Sequence, residues 1–215
     1  MRELHVPKQW KESKTILFKK GDKELLKNYW PVCLLSALYK TFTKIILNRL
    51  TRELDEQQPQ EQAGFRARYG TIDHIHVINQ LLERCREYKT PLVLTFVHYE
   101  KVFNIIEINA VLQAIHCQGI ADDYVALIQE LNSSCSTNIT PFYRPLHIPI
   151  ARGVKQGDTI SPKLFNASFE IFRKLNWSSG ININGERLNH LRFADDIVIM
   201  REMIEEVEEM LRELD

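Results

Sequence analysis

Phe193-Ala194-Asp195-Asp196 lies between two short apolar runs, Leu188 to Phe193 and Ile197 to Met200. Runs this short and this close predict two strands, with the four residues at the tip of a β-hairpin. The turn then projects both acids into one cleft, where divalent cations could meet a triphosphate. A merely polar turn is the competing reading, because Asp-Asp is ordinary in loops. The neighbouring segments decide between the two.

The chain has 215 residues, 44% of them hydrophobic and 26% charged, which is ordinary globular composition and excludes disordered and collagen-like classes. Residues 1–18 alternate charge with isolated apolar side chains, without a continuous apolar run. Neither a signal peptide nor a membrane span is therefore expected, and an intracellular location is. Cys33, Cys85, Cys117 and Cys135 are widely spaced with no Cys-x-x-Cys pair. That spacing argues against zinc and a disulfide framework and for reduced core thiols.

Formal net charge is zero, but it is unevenly distributed. The first 52 residues hold twelve Lys or Arg against four acids, a surplus able to follow a phosphate backbone or simply to solvate a helix face. From Asp195 to Asp215 there are nine acids and two arginines, which fits a metal-binding turn followed by an exposed amphipathic helix.

Ser36 precedes a helical pattern with Leu38, Phe42, Ile45, Ile46 and Leu50 on one face, running to Leu54. A second helix is expected from Thr71 or Asp73 to before Pro91, with Ile75, Ile78, Leu82 and Cys85 at helical spacing. Residues 92–97 are too short for a helix and predict a buried strand. Helices are expected over 108–117, closed by Gly119, and over 122–131, then short strands near Ile139 and Ile148. Ser161-Pro162 is a helix start continued by Leu164, Phe165, Phe169, Phe172 and Leu175. Asn184-Gly185 is the favoured dipeptide of a two-residue hairpin turn, and Ile204, Val207 and Leu211 form a last helix. With no repeat or flexible linker, the elements predict one α+β core.

Six segments occur in an order that resembles the reverse transcriptase of non-LTR, LINE-type retrotransposons. They are Phe18-Lys19-Lys20-Gly21-Asp22, Asn28-Tyr29-Trp30-Pro31-Val32, Glu61-Gln62-Ala63-Gly64-Phe65-Arg66, the stretch from Phe96 to Asn104, Arg152-Gly153-Val154-Lys155-Gln156-Gly157-Asp158 with Ser161-Pro162, and Leu191-Arg192-Phe193-Ala194-Asp195-Asp196. Each alone is weak; their order along almost the whole chain is specific.

The resemblance implies a right-hand polymerase fold with fingers and palm, the antiparallel palm sheet backed by helices. Residues 1–90 would be mainly fingers and 91–215 mainly palm, with part of the fingers near 107–155. Because the sequence runs from Met1 to Asp215, the later lysine-bearing palm segment, the thumb, any zinc-knuckle region and a preceding endonuclease domain are all expected to be absent. By the same resemblance the activity is RNA-directed DNA polymerisation, a nucleotidyltransferase reaction using Mg2+, with an RNA template, a DNA primer and dNTPs as partners and no membrane. Asp195 and Asp196 would be the catalytic metal ligands. Lys19 or Lys20 would lie over the incoming triphosphate, and Gln156-Gly157 would form the turn against the templating pair, where glycine allows close backbone approach. Phe103 matches the aromatic gate that excludes a ribose 2′-hydroxyl; a core aromatic is its alternative.

Three positions depart from the family pattern. His98 stands where the family has the aspartate that joins both cations, and Asn104 where it usually has another acid. Two cations about 3.5–4 Å apart need a shared anionic ligand. A neutral imidazole offers one nitrogen and prefers softer metals than magnesium. Glu100 is a poor substitute, because two residues of strand displace its carboxylate by about 6–7 Å. Trp30 replaces an arginine whose planar fork would stabilise triphosphate charge, so one indole donor stands where five guanidinium donors are expected. The expectation is a reverse transcriptase domain whose catalysis is impaired. The alternatives are a non-catalytic module that binds RNA or a protein, or a fossil without selected function.

Overall fold

The computed structural model describes residues 5–22, 24–25, 28–99, 101–141, 143–169, 175, 177, 180–183 and 185–214. In chain order the elements are α1 (Lys8–Lys11), β1 (Glu12–Lys19), β2 (Tyr29–Leu34), α2 (Ala37–Glu56), α3 (Thr71–Tyr88), β3 (Val93–His98), α4 (Val102–Ile105), α5 (Ile108–Cys117), α6 (Asp122–Asn132), β4 (Ser136–Ile139), β5 (Leu146–Pro149), α7 (Ser161–Ser168), β6 (Ile181–Ile183), β7 (Glu186–Leu188), β8 (His190–Phe193), β9 (Asp196–Arg201) and α8 (Ile204–Glu213). They form two compact units, residues 1–57 with 101–168 and residues 58–100 with 169–215.

The first unit holds a four-stranded sheet of order β2-β1-β4-β5. β1 pairs antiparallel with β2 and parallel with β4, and β4 pairs antiparallel with β5. Only Ser13 and Thr15 of β1 are buried, and they meet β4 through hydroxyls: Ser13 Oγ donates to the Ser136 carbonyl at 3.2 Å, and Thr15 Oγ1 lies 2.7 Å from Thr137 Oγ1. The helices of this unit pack through α5, which meets α6 and α7. Val111, Ile115, Ile128, Leu164 and Phe165 are the apolar side chains that this packing buries.

The face of α2 differs from the expected one. Leu38 is 72% and Ile45 48% exposed, whereas Tyr39, Thr43, Ile46, Leu47, Leu50 and Leu54 are buried. The helix is turned by about one residue because two polar side chains join its inner face: Tyr39 and Thr43 each donate a hydrogen bond of 2.7 Å to the buried carboxylate of Asp158. α7 begins at the expected place. The Ile160 carbonyl accepts the first bonds of the helix, from the Lys163 and Leu164 amides, so Ile160 is the flanking residue and Ser161 the first helical one. The helix is described as far as Ser168, and Phe172 lies outside the described residues.

The second unit is built on the antiparallel sheet β3-β9-β8 with the hairpin β6-β7. The antiparallel sheet and its helical backing are as expected. Leu81 of α3 packs with Ile181, Leu191, Val198 and Met200, and Val77, Ile78 and Cys85 extend that contact, while Ile75 is exposed. Val207 and Met210 bury one face of α8. Gly185 has a φ of +96° at the β6-β7 turn, and its expected partner Asn184 lies outside the described residues. All four cysteines are free; Cys135 is buried, but Cys117 is exposed, against the expectation of core thiols throughout.

Candidate active site

In the second unit Phe193 pairs with Asp196, so Ala194 and Asp195 form a two-residue hairpin turn. Ala194 has a φ of +58°, a left-handed conformation that a residue with a Cβ adopts infrequently. The Glu61-Gln62-Ala63-Gly64 segment holds it there. The Arg192 amide donates to the Glu61 carbonyl at 2.8 Å, and the Ala63 amide donates to the Arg192 carbonyl at 3.0 Å, an extra parallel bridge along β8. The fully buried Gln62 then receives the Ala194 amide on its Oε1 at 3.1 Å and the Gly64 amide at 2.8 Å. Gly64 lies so close that a Cβ would fall 2.2 Å from the Ala194 nitrogen. Gln62 and Gly64 were not singled out as site residues from sequence, although both belong to a matching segment.

β3 runs beside β9 with His98 directly opposite Asp196. His98 Nδ1 and Asp196 Oδ1 are 2.7 Å apart, and because a carboxylate only accepts, the imidazole donates. The two side chains are 69% and 66% exposed. Asp195 is half-buried at the turn. Thus the strand pairing brings together the three catalytic positions expected from sequence. As donors to a pair of hard cations they do not fit: two carboxylates remain, one already engaged by the imidazole, and no carboxylate stands at position 98 to be shared. Among the described residues no three His, Cys, Asp or Glu side chains converge into a metal-binding group, and Glu100 lies outside the described residues.

Further along β8, His190 is buried, with its Nδ1 2.5 Å from Asn189 Oδ1 and the Trp177 ring edge-on at 5.1 Å. Burial first, then the charges of Arg192 and Arg201, push its pKa down to about 3.

The first unit carries the residues expected to meet a nucleotide. Phe18 of β1 lies opposite Trp30 of β2, and the two rings are 58% and 53% exposed. Lys19 pairs with Tyr29, and so points to the other face of the hairpin from Trp30. Lys20 follows β1; its amide donates to the Asn28 carbonyl at 2.8 Å and its side chain is exposed. Phe103 and Asn104 are in α4, the Phe103 ring stacked on Phe165 at 4.0 Å and 13°. Main-chain bonds tie α4 to the Gln156 segment. The Val154 amide donates to the Phe103 carbonyl at 2.9 Å, and the Gly153 amide to that of Ile106 at 2.8 Å. Gln156 and Gly157 are the central residues of a β-turn closed by the Asp158 amide on the Lys155 carbonyl at 3.1 Å. Gly157 has a φ of +92°, and a Cβ there would meet the Cys33 carbonyl of β2 at 3.1 Å. The Gln156 Oε1 is buried with no hydrogen-bond partner among the described residues.

No helix among the described residues is long and apolar enough to cross a membrane. A family model described as reverse transcriptase (RNA-dependent DNA polymerase) matches residues 18–215. The retrovirus-related Pol polyprotein from the type-1 retrotransposable element R2 of Popillia japonica is 29% identical over 204 residues, covering 92% of this chain and 28% of that protein. The RNA-directed DNA polymerase from the mobile element jockey of Drosophila melanogaster is 29% identical over 167 residues, 75% of this chain and 18% of that protein. The chain therefore spans only 28% and 18% of the lengths of these two relatives. Among solved structures, an apo telomerase of Candida tropicalis truncated from its C-terminal domain superposes with a TM-score of 0.69 at 12% identity, over 97% of this chain and 47% of that one. A Candida tropicalis telomerase in complex with a TWJ fragment of telomeric RNA gives 0.68 at 11%, over 98% and 39%. These likenesses show the right-hand polymerase fold. The chain belongs to the reverse transcriptase family, as a domain of the non-LTR retrotransposon type.

Proposed function

We propose that this domain engages template RNA and primer DNA inside the cell but that its own DNA synthesis is impaired, because His98 occupies the place of the carboxylate that should face Asp195 and Asp196. The observation that carries this reading is the 2.7 Å hydrogen bond from His98 Nδ1 to Asp196 Oδ1, directly across β3 and β9. Reverse transcriptases generally use a divalent metal, and Mg2+ is the ion proposed here, with Asp195 and Asp196 as the ligands that remain. An imidazole in the third place brings no negative charge and engages one of the four carboxylate oxygens. Lys19, Lys20, Phe103, Gln156 and Gly157 are proposed to meet the incoming nucleotide. Trp30 stands at a position where an arginine would add charge-assisted bonds worth roughly 1.5–3 kcal/mol each. In this reading residues 1–90 are mainly fingers and 91–215 mainly palm, with part of the fingers near 107–155.

Primer extension on an RNA template with Mg2+ or Mn2+ tests it. His98→Asp is expected to extend at least about 100-fold faster than the natural chain, the scale of a missing electrostatic group in a transition state. Equal rates for the two, with synthesis abolished by Asp195→Ala, would show the natural site to be competent.

A second reading, an RNA-binding module without synthesis, is favoured by one observation: Phe18 and Trp30 face each other on an exposed sheet surface, with Lys14 on the same face and Lys20 just beyond β1. Aromatic faces with interleaved cations suit unpaired bases and their phosphates. Its sign is affinity for single-stranded RNA that falls with log salt at about −0.7 per neutralised phosphate, without extension in any variant.

A further inference from the structure

Lys155 and Asp158, the two shoulders of the Gln156-Gly157 turn, are both buried, although neither is an inexpensive residue to bury. Lys155 Nζ donates to the Leu131 carbonyl at 3.0 Å and, at 3.4 Å each, to the Trp10 carbonyl and to the Tyr39 hydroxyl, and it lies 4.6 Å from the centre of the Tyr39 ring. Tyr39 passes its own hydrogen to Asp158 Oδ2 at 2.7 Å. Thr43, one helical turn on, donates to Asp158 Oδ1 at 2.7 Å and has Thr159 Oγ1 at 3.0 Å. A single phenol thus connects the first and last residues of the four-residue turn. Burial, and then the adjacent carboxylate, push the Tyr39 pKa far above its ordinary value, so the phenol stays a neutral donor.

A buried charged network is not needed to fill this space, since apolar side chains of like volume are commonly as stable. What it adds is direction: each bond fixes an angle as well as a distance. α2 begins two residues after the end of β2, the strand that carries Trp30 and whose Cys33 carbonyl lies against Gly157. Both anchors of the turn therefore belong to one continuous β2-α2 stretch. We propose that Tyr39, with Thr43, is a positioning residue that holds the Gln156-Gly157 turn in register with β2 and so sets where Gln156 presents its side chain to the nucleotide. This rests on the reading of that turn as a nucleotide contact.

Amide hydrogen exchange and nucleotide titration together test it. Tyr39→Phe keeps the ring and removes the hydroxyl; amides of residues 153–159 should then exchange about tenfold faster, the scale of one lost bond to a charged group, while those of α5 keep their rates. Thr43→Val should act in the same direction, and Thr43→Ser, which keeps the hydroxyl, should match the natural chain. On a primer–template, affinity for a fluorescent dGTP analogue opposite a templating cytosine should fall in Tyr39→Phe as it does in Gln156→Ala. Unchanged exchange at 153–159, or exchange raised equally in α5, would overturn the positioning role. Undiminished affinity in Gln156→Ala would instead overturn the nucleotide reading of the turn, with the exchange result still deciding whether Tyr39 holds it.

Discussion

The two turns proposed to act in this domain are both clamped from beneath by buried polar side chains. At Gln156-Gly157 the clamp is Tyr39 and Thr43 on Asp158; at Ala194-Asp195 it is Gln62 on the Ala194 amide. They differ above the clamp. The first turn carries Gln156 and Gly157, whereas the second faces His98, proposed here to stand in place of an acid. The location of the change explains how the fold accommodates it: His98 and Asp196 are each about two-thirds exposed, where ion pairs contribute about 0–1 kcal/mol. Backbone support and surface chemistry are separate investments in this domain, and the second can be altered while the first stands.

The sharpest way to break that comparison is Gly64→Ala. Its new Cβ meets backbone at 2.2 Å, which no side-chain rotation relieves, so a loss of about 3 kcal/mol in urea unfolding is expected. A variant as stable as the natural chain would mean that the Ala194 turn is not held from below. Of comparable size is a pH effect that originates at His190 in the second unit. His190 is held at about 3 when folded and titrates near 6.5 when unfolded, so below pH 6.5 the unfolded chain takes up a proton that the folded one refuses. Stability is full above that pH and falls as pH drops toward 3, by up to about 1.4 kcal/mol per unit. Urea midpoints between pH 7 and 4 should show the slope, and His190→Leu should flatten it. The smallest effect is expected at the altered site itself: His98→Ala should shift stability by no more than about 0.5 kcal/mol. A loss above 1 kcal/mol would mean that His98 supports the fold.

Periodicity made several elements legible in the sequence. α5 matches the expected residues 108–117, and α3, α6 and β3 differ from expectation by one to a few residues. The helices' apolar side chains recur at helical spacing and pack within one unit, whereas β3, expected as a buried strand, lies at the edge of its three-stranded sheet with no fully buried residue and with Phe96 74% exposed. The β1-β2 hairpin had no such signal, because only two of the eight β1 residues are buried, Ser13 and Thr15, and both are hydroxylic. The face of α2 was misplaced for a related reason. Tyr39 and Thr43 count as outward-facing by polarity, and only a carboxylate more than a hundred residues away makes their burial favourable. At the β8-β9 hairpin the turn was legible from the short apolar runs that flank it, whereas the role of Gln62 was not, since it consists of a side chain reaching the backbone of a segment 132 residues distant.

The parallel pairing of β1 with β4 has a consequence for biosynthesis. β2 ends at Leu34 and β4 begins at Ser136, so at 5–20 residues per second the ribosome needs roughly 5–20 s to deliver the partner of an edge that the β1-β2 hairpin has already formed. Over that interval the hairpin offers an unpaired row of amides and carbonyls beside exposed Ile16 and Phe18. Nascent chains stalled before residue 136 are therefore the species most exposed to capture by a chaperone or by another hairpin of the same kind.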